Sequence, residues 1–161
     1  MTDFHLPALL LLVVANGAPV VGRKLLGNRF AWRLDGGLKW PDGSDLLGPA
    51  KTLRGVVLSV TATAALAPLL GISAATGGML GLFAMLGDMA SSFIKRRLGI
   101  PSSGEAFLLD QLPESLLPLI ACQERLGLQF AHIAVLTTLF LVLQKLLSRI
   151  LYQLRIRRRP Y

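Results

Sequence analysis

Long apolar runs separated by short polar segments dominate the hydrophobic pattern of this chain. Most of these runs are long enough to cross the hydrocarbon core of a bilayer as a helix. One of them carries two prolines, Pro113 and Pro118, so a broken, tilted or re-entrant helix is the alternative to a complete span there. The runs, all predicted as spans, cover residues 6–22, 55–72, 77–94, 108–123 and 126–147. The pattern therefore predicts an all-α integral membrane protein with about five transmembrane helices.

The first apolar run follows Asp3 and His5 without a basic segment, which favours a transmembrane helix over a cleaved signal peptide. The run contains an amide, Asn16, shortly before Pro19, where we expect the helix to bend or end. Asn16 either satisfies backbone groups freed near Pro19 or contributes to a binding site. The sequence leaves both interpretations open.

The segment 23–54 is the one long polar stretch and is interrupted by repeated Gly, Pro and Asp turn signals. It is predicted as an ordered or lid-like loop between the first two helices. Its end, GPAKTLRG, lacks the spacing of a phosphate-binding GxxxxGK[ST] loop, so we reject that motif. Lys51, Thr52 and Arg54 are nevertheless candidate donors to a phosphate group. The alternative is that these residues anchor the chain at the membrane surface.

Composition supports a membrane protein of one domain, residues 1–161, because 53% of the residues are hydrophobic and the mean hydropathy is +0.58. The single cysteine, Cys122, excludes an internal disulfide and is expected to be a buried small side chain. The net charge of +8 is better explained by membrane orientation than by nucleic-acid binding. The basic tail, 148–161, is expected to lie on an anionic membrane surface.

Sixteen of the 17 Lys and Arg residues fall in the first loop, in the cluster at 95–97 or in the region from Lys145 onward. Five spans with the N-terminus outside and the C-terminus in the cytoplasm place all three groups on one side. The distribution predicts a multi-pass protein of the cytoplasmic membrane whose loop and polar clusters face the cytosol.

The stretch 87–111 combines acidic and basic residues at the end of an apolar run. Asp88, Ser91, Ser92 and Lys95 are spaced by three and four residues, so a helix places them on one face. Carboxylates that hold Mg2+ beside cations that hold phosphate oxygens would suit a metal-bound polyphosphate. The competing hypothesis is a transporter or non-catalytic membrane protein in which Asp88 pairs with Lys95 or Arg96.

Several short blocks occur in one order along the chain: Ala15-Asn16 with Pro19, Asp35-Gly36-Gly37, Asp42-Gly43, GPAKTLRG, GDMASSFIKRRLG and Leu109-Asp110-Gln111. Together these blocks resemble the CDP-archaeol synthase family, which is related to the larger phosphatidate cytidylyltransferases. The chain departs from the family pattern at Leu53, where Trp is usual, and at Ala50, where Gly is usual. Asp110 lacks the Asp-Arg-x-Asp ending of the larger enzymes, which makes the smaller family the better match.

The resemblance implies a CTP-dependent nucleotidyltransferase that transfers a cytidylyl group to a lipid phosphate and releases pyrophosphate. An archaeol-type 2,3-di-O-geranylgeranylglycerol phosphate is the implied lipid, with phosphatidate as the alternative. The implied partners are CTP, the lipid phosphate and membrane lipids, and a homo-oligomer is left open.

The resemblance also implies roles for individual residues. Asp88 and Asp110 would bind the Mg2+ cofactor, and Asp88, Lys95 and Asp110 would be catalytic. The implied substrate-binding residues are Asn16, Asp35, Lys51, Thr52, Arg54, Ser91, Ser92, Arg96 and Arg97. No general base is required, because a lipid phosphate is already anionic at neutral pH.

Overall fold

A computed structural model describes residues 5–101, 104 and 106–153 of the chain. Every regular element in this part is a helix, and strand-like pairing is limited to two isolated bridges, Arg33 with Thr52 and Lys39 with Asp45. A 3-10 turn, Ala67–Leu70, continues the second helix. The helices are α1 (Leu6–Leu26), α2 (Leu53–Leu66), α3 (Ala74–Arg97), α4 (Phe107–Ala121), α5 (Gln123–Leu126) and α6 (Phe130–Gln153).

Four helical stretches are long and apolar enough to cross a membrane: α1, α2 with its 3-10 turn, α3, and Phe130–Ile150 within α6. In the apolar 18-residue stretch of each of these helices, at most 44% is buried inside the protein. Most of the apolar surface therefore points outward. Such a surface suits lipid contact and agrees with the predicted all-α membrane class. The predicted fourth span is the helix α4, whose 15 residues are fewer than a full crossing requires, and five crossings remain a prediction.

The first helix continues past Pro19 to Leu26. The expectation that the helix ends near Pro19 is therefore wrong. Pro19 has no N–H to donate to the carbonyl of Ala15, one turn earlier. The amide of Asn16 does not replace this bond, because it donates to the carbonyl of Leu12, 3.1 Å away. Packing against α2 supports this part of α1. Gly22 lies directly against the side chain of Leu58, where a Cβ atom would collide.

The centre of the fold is α3, which packs against α1, α2 and α4. Gly77 and Gly81 allow a close approach to α2, because a Cβ at Gly77 would meet the backbone carbonyl of Thr63. The hydroxyl of Ser59 in α2 donates to the carbonyl of Gly81 at 3.3 Å. Cys122 is fully buried in the core, as expected.

The loop between α1 and α2 is held together by the buried carboxylate of Asp35. This carboxylate pairs with Arg33 at 2.9 Å and accepts hydrogen bonds from the backbone N–H groups of Gly37, Leu47 and Gly48 at 2.9–3.1 Å. Burial opposes ionisation, but the bonds from Arg33 and the three N–H groups outweigh it and hold the pKa of Asp35 well below its usual range. The segment is therefore an ordered loop, as the sequence predicts, and it carries Lys51 to a fixed place.

Candidate functional site

The end of the first loop meets the middle of α3 through an ion pair between Lys51 and Asp88. Thr52 follows Lys51 directly and caps α2, since its side chain accepts from the N–H of Gly55 at 3.2 Å. The cap fixes where α2 begins, and with it the position of Lys51. Lys51 and Asp88 are both partly buried, so the loop presents a cation to a carboxylate away from bulk water.

A second acid–base pair lies between α3 and α4. The ammonium of Lys95 contacts the carboxylate of Asp110 at 2.7 Å and donates to the carbonyl of Gly104 at 3.1 Å. Lys95 is 7% exposed, which leaves little room for water to screen the pair. Asp110 also accepts a hydrogen bond from the N–H of Ala106, 3.2 Å away, at the start of α4. The sequence identified both residues but not this pairing.

The structure adds a carboxylate that the sequence analysis did not select, Glu114 of α4. Its carboxyl group lies close enough to that of Asp88 for the two to interact, and it also interacts electrostatically with Lys51 and Asp110. Gly87 makes this approach possible, because a Cβ there would collide with the carbonyl of Pro113 and lie 2.8 Å from the backbone nitrogen of Glu114. The signal in the sequence is the spacing of four residues from Asp110, which places both carboxylates on one face of α4.

The serines of α3 lie beside this cluster, on the face that their spacing predicts. Ser91 is fully buried and its hydroxyl donates to the backbone carbonyl of Asp88 at 2.9 Å. Ser92 is also buried, at 4% exposure. The Nε of Arg96 is buried and forms no hydrogen bond within the described residues.

Arg97 and Arg54 are engaged by the first loop. Arg97 pairs with Asp42 at 2.9 Å, donates to Ser44 and to the carbonyl of Asp45, and stacks over Phe93 with 4.7 Å to the ring centroid. Arg54 donates to the backbone carbonyls of Gly27 and Arg29. Both residues therefore hold the loop in place beside the site.

A cavity of about 150 Å3 lies where α1, the loop, α2 and α3 meet. It brings together four of the residues selected from the sequence: Lys51, Thr52, Arg54 and Asp88. Eight other candidates do not line the cavity. Asn16 is bonded within α1 and Asp35 within the loop. The remaining six lie on α3 and α4: Ser91, Ser92, Lys95, Arg96, Arg97 and Asp110. The region thus combines cations, carboxylates and a cavity at the end of the membrane helices.

The carboxylates suit magnesium only in part. Within residues 5–101, 104 and 106–153, no three His, Cys, Asp or Glu side chains form a set that could hold a metal ion. Magnesium is commonly bound by one or two carboxylates together with the phosphates of a substrate, and it keeps several waters. The adjacent carboxyl groups of Asp88 and Glu114 meet that requirement. These residues therefore fit a magnesium site in which the protein and a polyphosphate both supply oxygen ligands. They do not fit a site in which the protein supplies all the ligands.

The comparisons with known proteins agree with one family. Residues 8–161 match the CarS-like CDP-archaeol synthase family. The chain is 33% identical to a CDP-archaeol synthase of Pyrobaculum calidifontis over 92% of this chain and 91% of that protein. It is 42% identical to a CDP-archaeol synthase of Hyperthermus butylicus, although that match spans only 62% of this chain and 60% of the relative. A solved structure of an intramembrane enzyme for archaeal membrane lipid biosynthesis superimposes with a TM-score of 0.74 and 34% identity, covering 86% of this chain and 89% of that one.

Proposed function

The chain belongs to the CDP-archaeol synthase family, and from this premise we propose that it transfers the cytidylyl group of CTP to an archaeal lipid phosphate. The lipid is an archaeol-type 2,3-di-O-geranylgeranylglycerol phosphate, and the products are a CDP-activated lipid and pyrophosphate. The observation that carries the proposal is the Lys51–Asp88 pair in the cavity, which sets a phosphate-binding cation beside a metal-binding carboxylate at the end of membrane helices.

In the reaction, an oxygen of the lipid phosphate attacks the α-phosphorus of CTP and forms the new P–O bond. The bond from the α-phosphorus to the bridging oxygen breaks, and pyrophosphate leaves with the electron pair. Catalysis then consists mainly of positioning the two phosphates and neutralising their charge. The protein's cations supply that neutralisation without a general base.

Asp88 with its neighbour Glu114 would hold Mg2+ together with oxygens of the triphosphate. The ion, when bound, would withdraw charge from the reacting phosphate and the departing pyrophosphate. The sequence resemblance also proposes Asp110 as a metal ligand. Because Asp110 is not grouped with Asp88 and Glu114 in the resting arrangement, that role requires Lys95 to transfer from Asp110 to a phosphate oxygen. Lys51 would turn from Asp88 to the triphosphate in the same way.

The remaining candidates divide into direct and supporting roles. Both Arg96 and Arg97 have buried guanidinium nitrogens without a hydrogen bond in the described part of the chain. Arg97 is held by Asp42, whereas Arg96 has no such ion pair there, so Arg96 is proposed to bind phosphate directly. The proposed supporting residues place the loop and α3 around CTP: Asn16, Asp35, Thr52, Arg54, Ser91, Ser92 and Arg97.

The proposed setting is the cytoplasmic membrane, crossed five times, with the N-terminus outside and both the first loop and the C-terminus in the cytosol. The basic residues of the loop and of 95–97 support this orientation. The rest of the support comes from the basic residues from Lys145 onward. Of that region, residues 154–161 lie outside the described part of the chain. A cytosolic site would meet CTP and Mg2+ directly.

Purified protein in detergent tests the proposal with CTP, Mg2+ and a mixed pool of lipid phosphates that carry ether-linked isoprenoid or ester-linked acyl chains. Mass spectrometry of the lipid fraction should show a CDP-ether lipid, with pyrophosphate released in equal amount and only when lipid is present. A product formed only from the ester lipid would reassign the substrate to phosphatidate. The absence of any CTP-derived lipid would contradict cytidylyl transfer.

A further inference from the structure

Of the three cations that line the cavity, Arg23 at the end of α1 differs from the others. Lys51 is paired with Asp88, and Arg54 donates to two carbonyl groups of the loop. Arg23 also lines this cavity and is exposed, yet its guanidinium has no ion pair or hydrogen bond to another side chain or carbonyl within the described part of the chain. Its five donors are therefore available to a ligand.

The helical turns on both sides of this cavity carry exposed apolar side chains. Val21 and Leu25, next to Arg23 in α1, are 47% and 77% exposed. Leu53 and Val57, at the start of α2, are 46% and 50% exposed. In a helix that crosses a membrane, such side chains contact lipid tails. A ligand that enters here meets apolar surface along its length and a cation at its end.

We propose that Arg23 binds the phosphate group of the lipid substrate and that its hydrocarbon chains lie along the exposed apolar side chains of α1 and α2. The inference rests on the proposed function and assigns a role to a residue outside the motifs that identify the family. A guanidinium suits this role because it forms two parallel hydrogen bonds to phosphate oxygens. Asp88 lines the same cavity, so a phosphate held by Arg23 lies close to the proposed metal and triphosphate.

A cation at this position also has a simpler explanation, because basic residues are favourable in the last turn of a helix and at the cytosolic end of a span. Lys24 shares both properties, as it lies in the same last turn, but it does not line the cavity. The two residues form a matched pair. A general effect of charge acts on both, whereas phosphate binding in the cavity requires Arg23.

The test compares Arg23→Ala and Lys24→Ala in mixed micelles, where the mole fraction of lipid phosphate and the concentration of CTP are varied separately. Loss of two charged hydrogen bonds should raise the apparent KM for lipid phosphate by at least about tenfold in the Arg23 variant. Its KM for CTP should stay within about twofold, and Lys24→Ala should leave both constants within about twofold. Arg23→Lys keeps the charge but cannot form the two parallel hydrogen bonds. Its KM for lipid phosphate should lie between those of the wild type and Arg23→Ala.

Binding of radiolabelled lipid phosphate to the micellar protein without CTP gives a readout independent of turnover. It should weaken in Arg23→Ala alone, at an unchanged melting temperature, and free inorganic phosphate should compete poorly. Equal effects in the two alanine variants, or an effect of Arg23→Ala on CTP only, would overturn the assignment. Wild-type protein that binds the lipid but transfers no cytidylyl group would refute the proposed function and leave the lipid site standing.

Discussion

The ammonium of Lys51 and the carboxylate of Asp88 form an ion pair, although 37 residues separate them in the chain. One belongs to an ordered loop and the other to the central helix α3, so the pair joins the loop to α3 at the cavity that both residues line. In the proposed reaction, a metal ion would replace Lys51 as the counterion of Asp88, and a polyphosphate would replace Asp88 as the counterion of Lys51. We therefore regard this pair as the resting arrangement of the site, in which each charge is neutralised until substrate arrives.

The Asp35 carboxylate should make the order of the first loop dependent on pH. Its pKa is lower in the folded loop than in an unfolded chain, where an aspartate titrates near about 3.9. The stabilisation is therefore complete above the unfolded pKa and is lost as pH falls toward the folded value.

Asp35→Asn tests this, because the amide cannot accept all the N–H groups that the carboxylate accepts. Hydrogen exchange of the loop should be faster in the variant at pH 6, with a cost of about 1–3 kcal/mol for each buried N–H that loses its partner. At pH 3 the difference from wild type should shrink. A difference that is constant from pH 6 to pH 3 would contradict the role of the ionised carboxylate.

The Lys95–Asp110 pair should support the packing of α4 on α3. Asp110→Asn leaves the mostly buried ammonium of Lys95 without its counterion and should cost about 2 kcal/mol. The melting temperature in detergent should fall by several degrees. The double variant Lys95→Met with Asp110→Leu should recover most of that loss while remaining inactive. Recovery of activity in the double variant would remove both residues from the proposed chemistry.

The contact between Gly87 and Pro113 should be essential for placing Glu114 beside Asp88. Gly87→Ala forces α4 away, because its Cβ would collide with the carbonyl of Pro113. We expect a loss of about 1–3 kcal/mol and reduced activity. Gly78→Ala is the control, since its Cβ would lie 3.6 Å from Ala64, an ordinary contact. Similar stability and turnover in the two variants would show that the close approach is unimportant.

Cysteine labelling from outside the cell tests the proposed orientation. In a Cys122→Ser background, Asp42→Cys in the first loop and Arg157→Cys in the tail should both be protected from a membrane-impermeant reagent. Permeabilised cells serve as the positive control, in which Asp42→Cys becomes reactive because its loop position is exposed. Labelling of either position in intact cells would reverse the assignment of the cytosolic side.

Hydropathy predicted the four long spans and the spacing predicted the shared face of Asp88, Ser91, Ser92 and Lys95, because both depend on local periodicity. The end of α1 was harder to predict. Pro19 is a strong local signal for a break, yet tertiary packing of Gly22 against Leu58 carries the helix onward to Leu26. Local propensity is a weak guide where a neighbouring helix stabilises the segment.

The pairings within the site could not be predicted from one sequence. Asp88 was weighed as a partner of Lys95 or Arg96 because they share a helix, whereas the structure pairs it with Lys51 from the loop. Glu114 is hard to select from the sequence because it lies between two prolines in an apolar run. Its contact with Asp88 depends on the approach of α4 at Gly87, which is a property of the fold and not of spacing along the chain.

The central claim is that Asp88 holds the metal-bound triphosphate during cytidylyl transfer. Asp88→Asn keeps the size of the side chain but removes the charge that is proposed to bind Mg2+. We expect its rate to fall by at least about a hundredfold, since each 1.36 kcal/mol of lost transition-state stabilisation is a factor of ten. Adding Lys51→Met to the Asp88→Asn variant should restore any stability that was lost with the ion pair, but it should not restore the activity.

The most direct measurement is the Mg2+-dependent transfer of label from CTP, carried on its α-phosphate, into the lipid extract by wild-type and Asp88→Asn protein purified side by side. The account predicts labelled CDP-lipid from the wild type, and a rate at least about a hundredfold lower from a variant that melts close to the wild type. Wild-type turnover in Asp88→Asn would contradict the catalytic assignment of this residue and most of the site built around it.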